Sequence, residues 1–295
     1  KRMTLNNSKQ DPSFAATCLA HKVFRDAGYP APRCNHAKVT INGKYMGVYV
    51  HVESVKKPYL ARHFADDEGN LYEGTVSDFN QDFKGTFEKK TNKEEDDWSD
   101  LDAVVDAFEQ DGPGWLEAVA EVIDLDRFFT LWALEVLIGH WDGYAGNRNN
   151  YYLYADPADG RFVFLPWGAD AVLRDLQSTA EEVQPPVSVL AHGALAHRLY
   201  ADPETRQIYR ETMEVILDEV WDAEALIAEA DRIRALLTPH VFPVEEEHFD
   251  LLHEAMREFI TGRKDALLAD LEASPDWPFP PPALYCPQPH GTVAL

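Results

Sequence analysis

Acidic and amide side chains near the middle of the chain are spaced for phosphate chemistry. His140, Asp142 and Asn147 form the pattern His-x-Asp-x₄-Asn, and a further carboxylate, Asp170, follows downstream. A carboxylate beside a hydroxyl can accept its proton, and carboxylate and amide oxygens are the ligands that Mg²⁺ prefers. Together these side chains could place a hydroxyl for attack on a phosphate and hold the metal that neutralises its charge.

This spacing matches that of the protein-kinase catalytic loop, in which the Asp accepts the hydroxyl proton and the Asn binds Mg²⁺. A structural alternative exists. His140 and Asp142 would then cap the preceding helix, and the Asn-rich run 147–150 would form a turn. The position of the pattern favours catalysis, because it lies between a predicted buried helix and a predicted hairpin that ends at Asp170.

The surrounding patterns predict an α+β protein. Apolar residues on nearly all sides of 125–138 predict a buried central helix directly before the loop. A helix is predicted from Pro12 to Ala27 with Asp11 as its N-cap, and Asn42-Gly43 between two alternating runs predicts a hairpin. The last part of the chain is predicted to be helical over 202–220, 222–237 and 244–271.

These elements predict two lobes and a tail. We expect a small β-rich N-lobe at 1–92, a mainly helical C-lobe at 93–274 and a Pro-rich tail at 275–295. Within the C-lobe we expect a catalytic loop at 140–150 and a metal-binding hairpin at 151–170.

The charge balance excludes some partners. The chain has 51 Asp and Glu against 27 Lys and Arg, a formal net charge of −24. A surface this acidic repels phosphate backbones and anionic lipid, so we expect no nucleic-acid partner and no basic membrane patch. No run approaches the roughly 18 apolar residues of a membrane span. We expect a monomer, and the sign of the charge favours a basic protein substrate.

The three cysteines leave two possibilities open. Cys18 and Cys34 could form a disulfide in an exported protein or remain buried thiols in a cytosolic one. Cys286 lies alone in the Pro-rich tail, and no Cys/His spacing suits a zinc site.

An ordered series of sequence blocks runs from Lys1 to about Asp175. The blocks include Thr4-Leu5-Asn6-Asn7, Phe24-Arg25-Asp26-Ala27-Gly28, Asn42-Gly43-x-Tyr45-x-Gly47-x-Tyr49, Gly69-Asn70-Leu71-Tyr72, Asp142-Gly143-Tyr144 and Asn149-Asn150-Tyr151-Tyr152-Leu153-Tyr154. Together they resemble the CotH family of spore-coat protein H kinases, an atypical, secretory-type branch of the kinase-like fold.

The resemblance implies Mg²⁺- and ATP-dependent phosphorylation of Ser/Thr in proteins, in bacteria often those of the spore coat or cell surface. It therefore favours an exported, surface or coat location and a basic or Ser/Thr-rich protein substrate. By position, Asp142 resembles the catalytic base, Asn147 a metal ligand and Asp170 the metal-binding Asp.

Two departures from the family pattern affect this expectation. Members often have Pro-Trp-Asp-x-Asp where this chain has Pro166-Trp167-Gly168-Ala169-Asp170, so Asp170 alone would fill the metal role. Members also carry an upstream segment with a Lys-rich strand. We therefore expect a trimmed or reduced N-lobe, and the phosphate-binding lysine stays unassigned.

Three further side chains are candidates for the nucleotide site. Glu53 at a strand end could orient a phosphate-binding lysine or hold metal, Arg148 could neutralise the transferred phosphate, and Trp167 could flank the nucleotide. Each has a structural alternative: Glu53 could be a surface carboxylate, Arg148 could form a salt bridge within the loop, and Trp167 could pack the hairpin.

The sequence therefore favours a protein Ser/Thr kinase with Asp142 as base and Asn147 and Asp170 holding metal. The alternative is a catalytically weak or inactive kinase-like surface or coat protein that acts in assembly or adhesion, as Gly168 and the unassigned lysine would suggest. A metal-dependent hydrolase that uses His140 is disfavoured, because such sites carry more His ligands at defined spacing.

Overall fold

The computed structural model describes residues 3–80, 83–175 and 185–280, and it confirms the predicted α+β class. The strands are β1 Thr4–Asn6, β2 Cys34–Ile41, β3 Lys44–Val52, β4 Leu71–Gly74, β5 Glu88–Lys89, β6 Tyr151–Ala155 and β7 Phe162–Pro166. The helices are α1 Ala16–Asp26, α2 Lys57–His63, α3 Ser99–Phe108, α4 Trp115–Val122, α5 Leu125–Leu137, α6 Tyr144–Asn147, α7 Ala194–Ala201, α8 Pro203–Glu219, α9 Ala223–Leu237 and α10 Glu246–Ala273.

The first sheet has the strand order β1-β3-β2 and is antiparallel throughout. The predicted hairpin is confirmed: Asn42 and Gly43 have φ values of 51° and 80°, as a tight Asn-Gly turn requires. Alternation along β3 buries Val48, Val50 and Val52 on one face. The opposite face carries the half-buried His51, as the pattern predicts.

The second sheet has the order β5-β4-β6-β7. The predicted 151–166 hairpin forms β6 and β7, and β4 pairs with β6 from Leu71↔Tyr154 to Gly74↔Tyr151. One strand assigned to the N-lobe, β4, thus hydrogen-bonds to a strand of the predicted C-lobe. The lobe boundary at residue 92 stays a prediction. Of the predicted tail, residues 281–295 lie outside the described part of the chain.

Helix α5 is the buried central helix that the sequence predicts. The Asp124 side chain caps its start by accepting from the Arg127 amide at 3.1 Å. Trp132 on this helix is fully buried and stacks on Tyr209 of α8 with ring centroids 4.0 Å apart. Because α5 is packed against α8 and the second sheet, the loop that follows it starts from a rigid support. Within the described ranges, no helix has both the length and the apolar character needed to cross a membrane.

The predicted start of α1 is wrong by four residues. The helix begins at Ala16 rather than Pro12, because Phe14 has a φ of 57°, which an α-helix does not tolerate. Asp11 still caps the segment: its carboxylate accepts from the Ser13 amide at 3.1 Å and the Ala16 amide at 2.9 Å. Packing of Phe14 against Phe249 of α10 accompanies this turn.

The structure joins Cys18 of α1 to Cys34 of β2 by a disulfide, which decides the question that the sequence left open. The two cysteines are 16 residues apart. We expect the Cys18→Ala/Cys34→Ala variant to lose about 3 kcal/mol of unfolding free energy, because the unfolded chain without the cross-link has more conformational entropy. Urea denaturation under oxidising conditions measures this loss, with Cys286→Ala as the control. Equal midpoints for the double variant and the wild type would contradict the prediction.

His21 of α1 is fully buried, and neither ring nitrogen has a hydrogen-bond partner among the residues that the structure describes. Burial, with added repulsion from Arg25 and His140, lowers its pKa to about 3. The unfolded chain therefore binds a proton below about pH 6.5 that the folded chain cannot accept, and stability falls as the pH falls.

Replacing His21 by leucine removes this penalty. Relative to the wild type, His21→Leu should gain about 1.4 kcal/mol of unfolding free energy per pH unit as the pH falls from 6 to 4. Urea titrations at several pH values test this. A stability difference that does not change with pH would show that His21 accepts a proton in the folded protein.

Candidate functional site

The loop after α5 begins at Gly139, whose φ of 70° turns the chain out of the helix. The next residue, His140, is buried, and its Nε2–H donates to the Trp167 carbonyl oxygen at 3.1 Å. Burial lowers the pKa of His140 to about 4, so the ring is neutral at pH 7. His140 thus ties the loop to the end of β7 and is not a proton carrier.

Amide side chains surround the Asp142 carboxylate. Asn147 Nδ2 donates to Oδ1 at 2.6 Å, Asn150 Nδ2 donates to Oδ2 at 2.7 Å, and Asn149 Nδ2 lies 3.3 Å from Oδ1. The Asn-rich run therefore orients the carboxylate and does more than form a turn. The sequence interpretation missed Asn149 and Asn150. Their position directly before β6 was the available signal.

Asp170 lies on the other side of this site and is partly buried. Asn6 Nδ2 donates to Asp170 Oδ2 at 3.2 Å, while Asn6 Oδ1 accepts from the Ser8 amide at 2.8 Å. Burial raises the pKa of Asp170, and the nearby negative charge of Asp142 adds to this shift. Asn6 was also missed, because no local pattern connects β1 with a residue so distant in sequence.

Gly168 occupies the position where family members often have an aspartate. Its φ is 56°, and a Cβ built on it would lie 2.3 Å from Asn150 Oδ1. A side chain at this position would displace the Asn150 amide that holds Asp142. The glycine and the asparagine are therefore matched to each other in this chain.

The donor set suits a hard divalent cation. Two carboxylates that repel each other, Asp142 and Asp170, lie beside the amide groups of Asn147 and Asn150. In the described ranges no three His, Cys, Asp or Glu side chains converge as a metal cluster. Mg²⁺ commonly takes one or two carboxylates and keeps several waters, so these residues fit it.

A cavity of about 760 Å³ lies between β1, the 54–58 segment and the second sheet, and its lining includes neither Asp142 nor Asp170. Its lining residues come from β1, the 54–58 segment, the second sheet and the 90–93 segment: Met3, Thr4, Ser54, Val55, Lys56, Lys57, Pro58, Leu71, Glu73, Glu88, Lys90, Thr91, Asn92, Lys93, Tyr152 and Trp167. Thr4, which lines the cavity, and Asn6, which donates to Asp170, point to the same side of β1. Trp167, which also lines the cavity, precedes Asp170 by three residues in sequence.

The cavity combines aromatic rings with cations. Tyr152 and Trp167 meet edge to face with centroids 5.5 Å apart. Lysines 56, 57, 90 and 93 line the cavity together with Glu73 and Glu88, so the lining is net positive although the net charge of the chain is −24. Lys57, Lys90 and Lys93 are ion-paired with glutamates. The volume lies in the range of small-molecule and cofactor sites. This chemistry suits a ligand with a flat ring and negative charge.

The other predicted nucleotide contacts differ in where they lie. Trp167 lines the cavity, and its contact with a nucleotide stays a prediction. Glu53 is outside the lining: burial raises its pKa, but hydrogen bonds from Arg62 and Arg33 outweigh this and lower it to about 2. Arg148 is also outside the lining, with its guanidinium 5.3 Å from the ring centre of Phe83.

The lysines also separate into two groups. Lys90 lines the cavity and pairs with Glu73 and Glu88. Lys89 is buried and donates to the backbone carbonyls of Glu95 and Asp97, which is a structural role.

The chain is similar to two known spore-coat-related proteins in sequence and to a solved kinase in structure. The chain is 27% identical over 286 residues to inner spore coat protein H of Bacillus subtilis (strain 168), covering 90% of this chain and 77% of that protein. It is 23% identical over 244 residues to spore coat protein homolog 1 of Rhizopus delemar, covering 75% of this chain and 39% of that protein. Among solved structures, it is similar to the Helicobacter pylori proinflammatory kinase CtkA, with a TM-score of 0.44 and 11% identity over 89% of this chain and 88% of that chain.

The family model described as CotH kinase protein matches residues 1–266 of the 295. This match confirms the resemblance drawn from the sequence blocks and extends it through most of α10. The chain belongs to the CotH kinase family.

Proposed function

We propose that this chain transfers the γ-phosphoryl group of ATP to Ser or Thr of a surface, coat or exported protein. The observation that supports this best is the proximity of the Asp142 and Asp170 carboxylates, with Asp142 held by the amides of Asn147, Asn149 and Asn150. A kinase needs these two carboxylates for different tasks, one beside the hydroxyl and one beside the metal.

Asp142 is the group proposed to accept the hydroxyl proton. Its three amide neighbours hold the carboxylate in one orientation, which places the acceptor oxygen before the hydroxyl arrives. Asn147 Nδ2 is used by Asp142, so Asn147 Oδ1 is the atom proposed for the metal, together with the Asp170 carboxylate. Bound Mg²⁺ would neutralise the negative charge on the phosphate oxygens.

The cavity is the proposed place of the nucleotide. Tyr152 and Trp167 offer ring faces and edges for the base, and the lysines of the lining offset the acidic surface that would otherwise repel ATP. We propose a basic or Ser/Thr-rich protein substrate and a monomeric enzyme. One relative is named as an inner spore coat protein and the other as a spore coat protein homolog, which supports a coat or exported location.

An inactive or weakly active coat protein is the second candidate. Gly168 lacks the carboxylate that family members often carry, and Lys90, which lines the cavity, is already paired with Glu73 and Glu88. In this case the chain would bind partners in assembly or adhesion. Failure to bind nucleotide at millimolar Mg-ATP would favour this candidate.

The nucleotide site is tested by replacing Trp167 with leucine. We expect the affinity for Mg-ATP, measured by isothermal titration calorimetry, to fall about tenfold, because loss of a ring contact costs roughly 0.5–1.5 kcal/mol beyond area burial. Trp98→Leu is the matched control: it removes a half-buried tryptophan that packs on Tyr72 and lies outside the cavity lining. Equal affinities of both variants and the wild type would place the nucleotide elsewhere.

A further inference from the structure

Helix α5 carries a fully buried carboxylate, Glu135, on the side that faces the catalytic loop. Its Oε1 accepts from the Tyr144 amide at 3.1 Å, and its Oε2 accepts from the Ala145 amide at 3.0 Å. Both donors lie in the first turn of α6. The carboxylate therefore binds the exposed N–H groups at the start of that helix with both oxygens.

The short helix needs this support. Helix α6 has four residues, and a single turn is unfavourable by itself because one hydrogen bond does not offset the ordering of several dihedral angles. Gly143 allows close approach, since a Cβ there would lie 2.5 Å from Glu135 Oε1. Burial raises the pKa of Glu135 to about 8, so this acid is kept inside the protein at an energetic cost.

A second buried carboxylate holds the same tyrosine from the other end. Tyr144 Oη donates to Asp78 Oδ1 at 3.1 Å and accepts from the Leu195 amide at 3.0 Å. Asp78 Oδ2 accepts from the Ala194 amide at 3.0 Å. Tyr144 is thus bound through its backbone to α5 and through its hydroxyl to Asp78 and the start of α7.

We propose that Glu135 and Asp78 are positioning residues for Asp142. Helix α6 begins two residues after Asp142 and ends at Asn147, whose amide donates to the Asp142 carboxylate at 2.6 Å. Holding α6 against α5 and α7 therefore holds the proton acceptor. The inference rests on the proposed kinase function for its consequence on rate, but its structural part does not depend on that function.

The test compares Glu135→Gln with the wild type by amide hydrogen exchange and steady-state kinetics. Glutamine keeps the size but turns an NH₂ group towards one of the two loop amides. We expect amides of residues 144–147 to exchange about tenfold faster or more, and kcat to fall about 10- to 100-fold with KM for ATP within about twofold. Tyr144→Phe, which removes only the hydroxyl, should give a smaller change in the same direction.

A loss of stability alone must be separated from a loss of positioning. Ile233→Ala in the buried face of α9 is the control, since it destabilises the fold away from the loop. It should lower the melting temperature without changing kcat at a temperature where it is folded. If Glu135→Gln behaves like this control, with unchanged exchange at 144–147 and unchanged kcat, the inference is overturned. If the wild type transfers no phosphate, the proposed function fails. The exchange rates alone then decide whether Glu135 and Asp78 hold helix α6 in place.

Discussion

Replacing Asp142 by alanine is expected to lower the rate of phosphate transfer by about 10²- to 10⁴-fold, the usual contribution of a positioned general base. The substitution also removes the acceptor on which Asn147 and Asn150 converge. The cavity lining does not include Asp142, so the affinity for ATP should change by about twofold or less, which is small beside the effect on rate. Single-turnover transfer from radiolabelled ATP measures the rate, and calorimetry measures the affinity.

Asp159→Ala serves as the matched control for the Asp142 variant. Asp159 lies in the turn between β6 and β7 and pairs with Arg161 at 2.6 Å on the surface. Removing it deletes one carboxylate from the hairpin that follows the loop, outside the site. A rate for Asp142→Ala within twofold of the control would show that another group accepts the proton.

Replacing Asp170 by alanine is expected to abolish both phosphate transfer and the rise in melting temperature on adding Mg-ATP. Asp170 is the one carboxylate proposed for the metal, so its removal leaves the cation with the neutral Asn147 Oδ1 as its proposed protein ligand. For the wild type, ligand at about 100 times its Kd stabilises the folded state by about 2.7 kcal/mol, so loss of binding is readily seen by thermal denaturation.

The effect of Mg²⁺ on the melting temperature distinguishes a loss of metal binding from a loss of folding stability. Asp170→Ala removes one hydrogen bond from Asn6, and its melting temperature without ligand should stay close to that of the wild type. Asp170→Asn keeps the size of the side chain but not its charge, and it should share the loss of the Mg²⁺-dependent shift. Unchanged phosphorylation in either variant would contradict the assignment of Asp170 as a metal ligand.

Much of the fold follows from local patterns. The run 125–138 is apolar on nearly all sides, and it becomes the buried helix α5. Asn42-Gly43 and the alternation after it become a hairpin, and the three C-terminal helices begin and end within two residues of their predicted limits. These features depend on neighbours in sequence, where periodicity and turn chemistry act directly.

Only part of the candidate site could be predicted from local sequence patterns. The pattern His140-x-Asp142-x₄-Asn147 is local, and the structure brings Asn147 to Asp142. The helper residues Asn6 and Asn150 were not predicted. Asn150 is close to this pattern in sequence, but its role follows only from the structure. Its side chain donates to Asp142 and occupies the space that a Cβ on Gly168 would need.

The amino-acid order thus specifies the elements, the loop that carries the candidate base and the family to which the chain belongs. Tertiary structure decides which distant groups meet: Asn6 with Asp170, Cys18 with Cys34, and Glu135 and Asp78 with Tyr144. The physical reason is that these groups meet only when apolar surface elsewhere in the chain is buried. Periodicity reports which face of an element is buried, but not which partner that face will meet.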